Sequence, residues 1–97
     1  MSVVALLRWL VPISPSAPSP RGRKFTIPAR FDHQSDVDWT TNAWSLVVNS
    51  EGAPDPHGVQ TVYVHFLMPH APTTWLKPGR KFTLYEGRNA IAEGEIQ

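Results

Sequence analysis

Hydrophobic and polar side chains alternate along much of this chain, and the pattern begins at its N-terminus. In an extended strand, successive side chains point to opposite faces, so residues two apart share a face. One face of the first segment would carry Val3, Ala5, Leu7, Trp9 and Val11, and the other Val4, Leu6, Arg8 and Leu10. Both faces are largely apolar. We therefore predict a strand that is covered on two sides or has a partner on its outer face.

Four later segments show the same period of two. They read AWSLVVNSE, QTVYVHFLMP, KFTLYE and AIAEGEI. The residues that share one face of each are Trp44, Leu46 and Val48; Val62, Val64, Phe66 and Met68; Phe82 and Leu84; and Ala90, Ala92 and Gly94. Small side chains in the last segment suit the interior of a tight barrel. A sixth segment, KFTIPARF, alternates correctly at Phe25 and Ile27, but Pro28 has no N–H and restricts it to an edge or a bulge.

Turn residues separate these segments. Pro78 suits the second position of a turn and Gly79 the positive φ that follows. The sequence EGRN predicts a tight hairpin between the last two strands. Residues 12–22 are rich in proline and serine, and we expect them to form a loop. We also expect a loop in DHQSDVDWTTNAW, although Ser35 or Asp36 could cap a single helical turn there.

These elements together predict the fold class. The chain has 97 residues, enough for one domain with one core, and we assign residues 1–97 to that domain. No segment shows a sustained helical period. We predict an all-β fold, a small closed six-stranded antiparallel barrel, because closure leaves no exposed strand edges.

Composition limits the cellular location and the binding partners that we expect for the protein. Cysteine is absent, which excludes disulfides, thiolate nucleophiles and cysteine zinc sites, and it fits the cytoplasmic location that we expect. The N-terminal apolar run has no basic residue before it, is interrupted by Arg8 and is too short to span a membrane. We therefore favour a strand over a secretory signal and expect no membrane association. The formal charge of +1 gives no reason to expect nucleic-acid binding by the molecule as a whole.

Candidate chemistry is sparse. No phosphate-binding glycine loop is present, so we predict no nucleotide. The four histidines are His33, His57, His65 and His70. Their spacing matches no standard metal motif, and we predict neither a metal nor another cofactor. Ser35, His33 and Asp36 lie too close together on one loop to favour triad geometry. We predict that the protein is not an enzyme; an enzyme would need a pocket that gathers His33, Asp36 and His65.

The last twenty residues carry a more specific pattern. Its positions are Pro78, Gly79, Lys81, Phe82, Leu84, Glu86, Gly87, Ile91 and Gly94. These residues resemble the end of the C-terminal β-barrel domain of the elongation factor Tu family and match its positions without a gap. The first strand and the loop that follows it look like that family's opening strand and its glycine-arginine loop. The resemblance implies a Greek-key-like barrel that stands alone here, without the GTP-binding domain or the middle barrel of the factor.

The resemblance also implies two kinds of contact. In the factor, this domain contacts the T-stem of aminoacyl-tRNA and packs against the GTP-binding domain. The candidate RNA-contacting residues are Arg23, Lys24, Arg80, Lys81, Arg88 and Asn89. Arg88 stands where the family usually has glycine, and Asn89 where it usually has arginine. Two short basic groups form one positive patch only if the loop and the Pro78–Gly79 turn lie at the same end of the barrel; they are Arg21, Arg23 and Lys24, and Lys77, Arg80 and Lys81. We favour the alternative that they form a solvated rim, because acidic residues offset their charge.

We predict a non-catalytic binding module from these observations. The first expectation is a protein partner or a homodimer, because a barrel whose relatives pack against other domains can keep an apolar outer face. The alternative is a tRNA-binding module related to translation. The candidate protein-interface residues are Val4, Leu6, Leu10, Trp39 and Trp75.

Overall fold

The computed structural model describes residues 2–11, 24–35, 43–50, 52 and 54–97. Within these residues the chain forms six strands and one short 3₁₀ helix. The strands are β1 (Val3–Trp9), β2 (Lys24–Phe31), β3 (Trp44–Ser50), β4 (Val59–Phe66), β5 (Lys81–Glu86) and β6 (Asn89–Ile96), and the 3₁₀ helix is Thr73–Trp75. The predicted loop at residues 12–22 lies outside the described residues, as do Arg23, Asp36 and Trp39.

The six strands close into an antiparallel barrel in the order β1-β4-β3-β2-β5-β6, so the predicted fold class is confirmed. Strands β2, β3 and β4 are consecutive neighbours, and β1 lies beside β4, which is a Greek-key arrangement. The predicted faces of β1 are confirmed, because Ala5, Leu7 and Trp9 are buried whereas Val4 and Leu6 are exposed. The prediction that Pro28 restricts this segment to an edge or a bulge is wrong, because β2 pairs with β3 on one side and with β5 on the other. The strand tolerates Pro28 because the β2–β5 ladder begins only at the next residue, Ala29.

Large and small side chains alternate across the barrel interior. Along one interior row, Phe31 faces Phe82, Phe82 faces Gly94, and Gly94 faces Leu7. Along the next, Leu84 lies between Ala29 and Ala92. This alternation lets large rings and leucines from opposite sides of a narrow barrel interdigitate.

The predicted inward face of β6 is wrong at its first residue. A β-bulge shifts the β5–β6 register between Leu84 and Tyr85, so that Tyr85 pairs with Ala90 and Leu84 with Ala92. The extra residue, Ile91, turns into the core and is buried, whereas Ala90 is exposed. A bulge places two residues of one strand opposite one residue of its partner and thereby breaks the period of two.

The two ends of the barrel differ. At the aromatic end, where β2, β4 and β6 finish, Trp75 packs edge-on against Phe31, with ring centroids 5.5 Å apart, and also contacts Phe66. At the hairpin end, where β1, β3 and β5 finish, the Trp9 indole N–H donates to Gln60 Oε1 at 2.9 Å. Tight turns connect strands at both ends. Gly79 has a φ of 87° after Pro78, as predicted, and Gly87 has a φ of 62° in the β5–β6 hairpin.

Candidate functional site

A groove of about 670 Å³ lies on the outer face of the barrel, across β1, β6, β5 and β2. Its lining includes Thr83 of β5, a short side chain that is only partly exposed. In the strand register, Thr83 lies between Arg30 of β2 and Glu93 of β6, which both carry longer side chains. The groove thus forms because a short residue on β5 is flanked by long residues on its two neighbouring strands.

Two rows of side chains cross the groove, and each row consists of residues that are paired across neighbouring strands. The first row runs from Leu6 through Glu95 and Lys81 to Asp32. The second row runs from Arg8 through Glu93 and Thr83 to Arg30. Among the described residues that line the groove, cations and carboxylates alternate and are equal in number. The cations are Arg8, Arg30 and Lys81, and the carboxylates are Asp32, Glu93 and Glu95.

Several of these charged groups are held in place by bonds within the chain. An Arg8 guanidinium nitrogen lies 3.0 Å from Glu93 Oε2 in an exposed ion pair. The Arg30 guanidinium donates to the backbone carbonyl of Gln34, at 3.3 and 3.4 Å from its two nitrogens. Gln34 itself is buried, and its side chain accepts from the backbone N–H of Phe31 at 3.0 Å. The Arg30 side of the groove is therefore anchored to the turn that follows β2.

The cluster of Asp32, His33 and Arg80 ties that turn to the start of β5. Arg80 Nε lies 3.6 Å from Asp32 Oδ1, and the other oxygen of Asp32 accepts from the backbone N–H of Lys81 at 3.2 Å. The Arg80 guanidinium also contacts His33 Nδ1, which must accept because arginine has donors only. The His33 ring stands edge-on to Trp75, with centroids 4.3 Å apart. These contacts position one end of the groove and help to close the aromatic end of the barrel.

The condition for a single positive patch is not met by the residues that the structure describes. Lys24 begins β2, and Arg88 and Asn89 lie in the β5–β6 hairpin, so all three are at the hairpin end. Arg80 and Lys81 precede and begin β5 and lie at the aromatic end. The antiparallel pairing of β2 with β5 places the two groups at opposite ends of the barrel. Arg23 lies outside the described residues.

The predicted apolar residues of β1 are exposed, but they do not form one continuous strip. Val4, Leu6 and Leu10 are 37%, 40% and 43% exposed, and Arg8 lies between the last two on the same face. Tyr63 of β4 pairs with Val4 and is equally exposed, which extends the apolar surface away from the groove. Sequence reasoning placed Tyr63 on the correct face of its strand but did not connect it with Val4, because strand order is not visible in the sequence.

Trp75 was predicted as a candidate protein-interface residue, and the structure places it half-buried over the aromatic end, against Phe31 and Phe66. Its position beside a predicted loop gave no sign that the loop folds back over the core. Trp39, the other aromatic candidate, lies outside the described residues.

The residues considered for catalysis are dispersed. His65 lies on β4, where its Nδ1 is 3.4 Å from the Ser2 hydroxyl, and β3 separates this strand from β2 and the turn that carries His33. The groove is lined by neither histidine. Asp36 lies outside the described residues. In the part of the chain that the structure describes, no three histidine or acidic side chains converge as a metal site would require.

Sequence reasoning did not single out Arg30, Thr83 or Glu93 for function. Each residue alternates outward on its own strand, which the period of two could have indicated. Their proximity depends on β2, β5 and β6 being neighbours, and no local signal carries that information.

Among the described residues, no helix has the length and apolar character needed to cross a bilayer. Comparison of the chain with known protein families, with curated proteins and with solved structures gives no match. The resemblance to the C-terminal barrel of elongation factor Tu therefore remains a prediction from the motifs in the sequence.

Proposed function

We propose that this barrel is a non-catalytic protein-binding module and that its partner docks in the groove across β1, β6, β5 and β2. The observation that carries the proposal is the groove itself, a concave surface lined by charges of both signs, two of which, Arg30 and Asp32, are held by hydrogen bonds within the chain. Leu6 adds an apolar side chain at its edge, next to Val4 on the same face. Polar groups held in place around a concavity lose little entropy on binding and confer specificity.

The charge balance supports a protein partner over RNA. A polyanion gains affinity from the counterions that clustered cations release. Lys81 instead lies between Glu95 on β6 and Asp32, whose backbone N–H donates to the Lys81 carbonyl. Phosphates approaching Lys81 would therefore also meet two carboxylates.

The apolar surface supports a different protein over a second copy of the chain. A stable dimer buries roughly 800 Å² on each partner. Val4, Leu6 and Tyr63 are each about two-fifths exposed, and patches of that extent occur on ordinary monomers. Contact with a partner protein therefore needs the groove as well as this apolar patch.

The test uses a groove-filling substitution with a matched control. Thr83→Trp would fill the groove, whereas Thr26→Trp makes the same change at an exposed position of β2 outside it. Binders selected from a displayed peptide library on the wild-type protein should lose at least about tenfold in affinity for the Thr83 variant and keep their affinity for the Thr26 variant.

The same preparation is titrated with bulk tRNA at low and moderate salt and is sedimented alone. We expect no saturable tRNA binding and a monomer. Saturable tRNA binding that weakens steeply with salt would overturn the proposal in favour of RNA. A stable dimer disrupted by Thr83→Trp would make the groove an interface between copies of the chain and would overturn the proposal of a different partner. Selected binders that bind both variants equally would place the site elsewhere.

A further inference from the structure

We infer that the groove receives an extended peptide segment in which basic and acidic side chains alternate. This inference rests on the proposed protein-binding function and names the class of partner. It follows from the line of the groove along β5, from the spacing of the charges on its two sides, and from which of those charges are already bound within the chain.

Along β5 the groove is long enough for a short extended chain. Its lining includes Lys81, Thr83 and Tyr85, which span five residues of β5 and hence about 14 Å at the usual rise per residue. Glu93 and Glu95 of β6 flank one side, and Arg30 of β2 flanks the other. The volume of about 670 Å³ lies within the range of concave sites that hold small ligands and short segments.

The two carboxylates on β6 are two residues apart, which corresponds to roughly 7 Å along a strand. Side chains at positions i and i+2 of an extended peptide have the same separation and point to the same side. Basic residues at these positions would therefore reach Glu93 and Glu95. The residue between them points the opposite way, toward the Arg30 guanidinium, which selects a carboxylate there.

Bonds within the chain decide how the charges are presented. Asp32 also lies on the Arg30 side, but its carboxylate faces Arg80 Nε at 3.6 Å and accepts from the backbone N–H of Lys81. It therefore repels an incoming acidic side chain less than a free carboxylate would. Glu93 is bound to Arg8, but both side chains are more than half exposed. An exposed ion pair of this kind stabilises little and can share its carboxylate with an incoming base.

The test compares two labelled ten-residue peptides of identical composition. In one, lysine and glutamate alternate, and in the other the lysines form one block and the glutamates a second block. Fluorescence anisotropy should show the wild type binding the alternating peptide at least about tenfold more tightly than the block peptide. Thr83→Trp should remove this preference, and Thr26→Trp should retain it. Circular dichroism checks that both variants are folded.

Charge reversal provides a second, independent measurement. Glu95→Lys should weaken binding of the alternating peptide by about tenfold, whereas Glu86→Lys, at the end of β5 and outside the groove lining, should leave it unchanged. Backbone amide shifts induced by the alternating peptide should centre on Thr83 and Glu93.

Two outcomes separate this inference from the proposed function. Equal affinity for the two peptides, or no binding of either, would overturn the alternating-charge inference. The protein-binding function would still stand if the library-selected binders depend on Thr83. Failure of both the designed peptides and the selected binders to depend on Thr83 would overturn both.

Discussion

Gly94 lies opposite Phe82 inside the barrel, and its replacement by alanine tests the packing described above most directly. A Cβ at this position would lie within 2.7 Å of three atoms of the Phe82 ring, closer than nonbonded carbons tolerate. The ring is buried and packs against Phe31, with centroids 5.8 Å apart, so it has little room to withdraw. Either the ring must leave its rotamer or β6 must move away from β5.

Overpacking of this kind costs about 1–3 kcal/mol in well-packed cores. Because three ring atoms are affected, we expect Gly94→Ala to lower the free energy of unfolding by about 2–3 kcal/mol. A chain of this length has a total stability of about 5–15 kcal/mol. The expected fall in melting temperature is about 10–20 °C, at roughly 4–8 °C for each kcal/mol.

Urea denaturation followed by circular dichroism measures this cost, and two further variants make the measurement specific. Gly52→Ala is the matched control, because a Cβ there meets none of the described residues within 4 Å, and it should change stability by less than about 0.5 kcal/mol. Phe82→Leu removes the three ring atoms. In that background Gly94→Ala should cost about 2 kcal/mol less than it does alone. An equal cost in both backgrounds, or almost none in the wild type, would refute the proposed Gly94–Phe82 contact.

Three further changes test the turns and the polar contacts. Gly79→Ala introduces a side chain at a φ of 87° and should lower the free energy of unfolding by about 1–2 kcal/mol in urea denaturation; an unchanged midpoint would contradict the turn geometry. Gln60→Leu leaves the buried indole N–H of Trp9 without its acceptor and should cost about 1–3 kcal/mol, a loss that Trp9→Phe in the same background should partly relieve. The backbone N–H of Val59 donates to Asp55 and lowers the pKa of this carboxyl below its usual 3.8. The ionised carboxylate therefore stabilises the fold above pH 3.8, and this stability is lost as the pH falls through the lowered pKa. Asp55→Asn keeps an accepting oxygen without an ionisable group and should flatten the decline in melting temperature between about pH 5 and pH 2; parallel declines in the two proteins would contradict this assignment.

The functional proposals depend on side chains from strands that are distant in the sequence. Arg8 and Glu93 are separated by most of the chain, yet they form an ion pair at 3.0 Å. Thr83 belongs to no sequence motif and becomes important only as the short residue between Arg30 and Glu93. A search of the sequence for catalytic or metal-binding motifs does not find such a site, because its parts are ordinary outward residues.

The sequence by itself determined the strands, most of their inward faces and the tightest turns of this protein. Alternation of apolar residues is a local property, since side chains two apart on a strand share a face whatever the strand pairs with. The positive φ of Gly79 after Pro78 is equally local. The six-stranded all-β fold was predicted correctly on this basis, and the small residues Ala92 and Gly94 were placed correctly inside the barrel.

Only the tertiary structure decided the strand order, the register and everything that depends on them. It separated the basic residues of β2 from those of β5, exchanged Ala90 for Ile91 in the core through a bulge, and placed Trp75 over the aromatic end. It also formed the groove from strands that are distant in the sequence. The physical reason is that pairing between strands depends on the packing of a whole shared core, whereas the period of two depends only on the backbone of each strand.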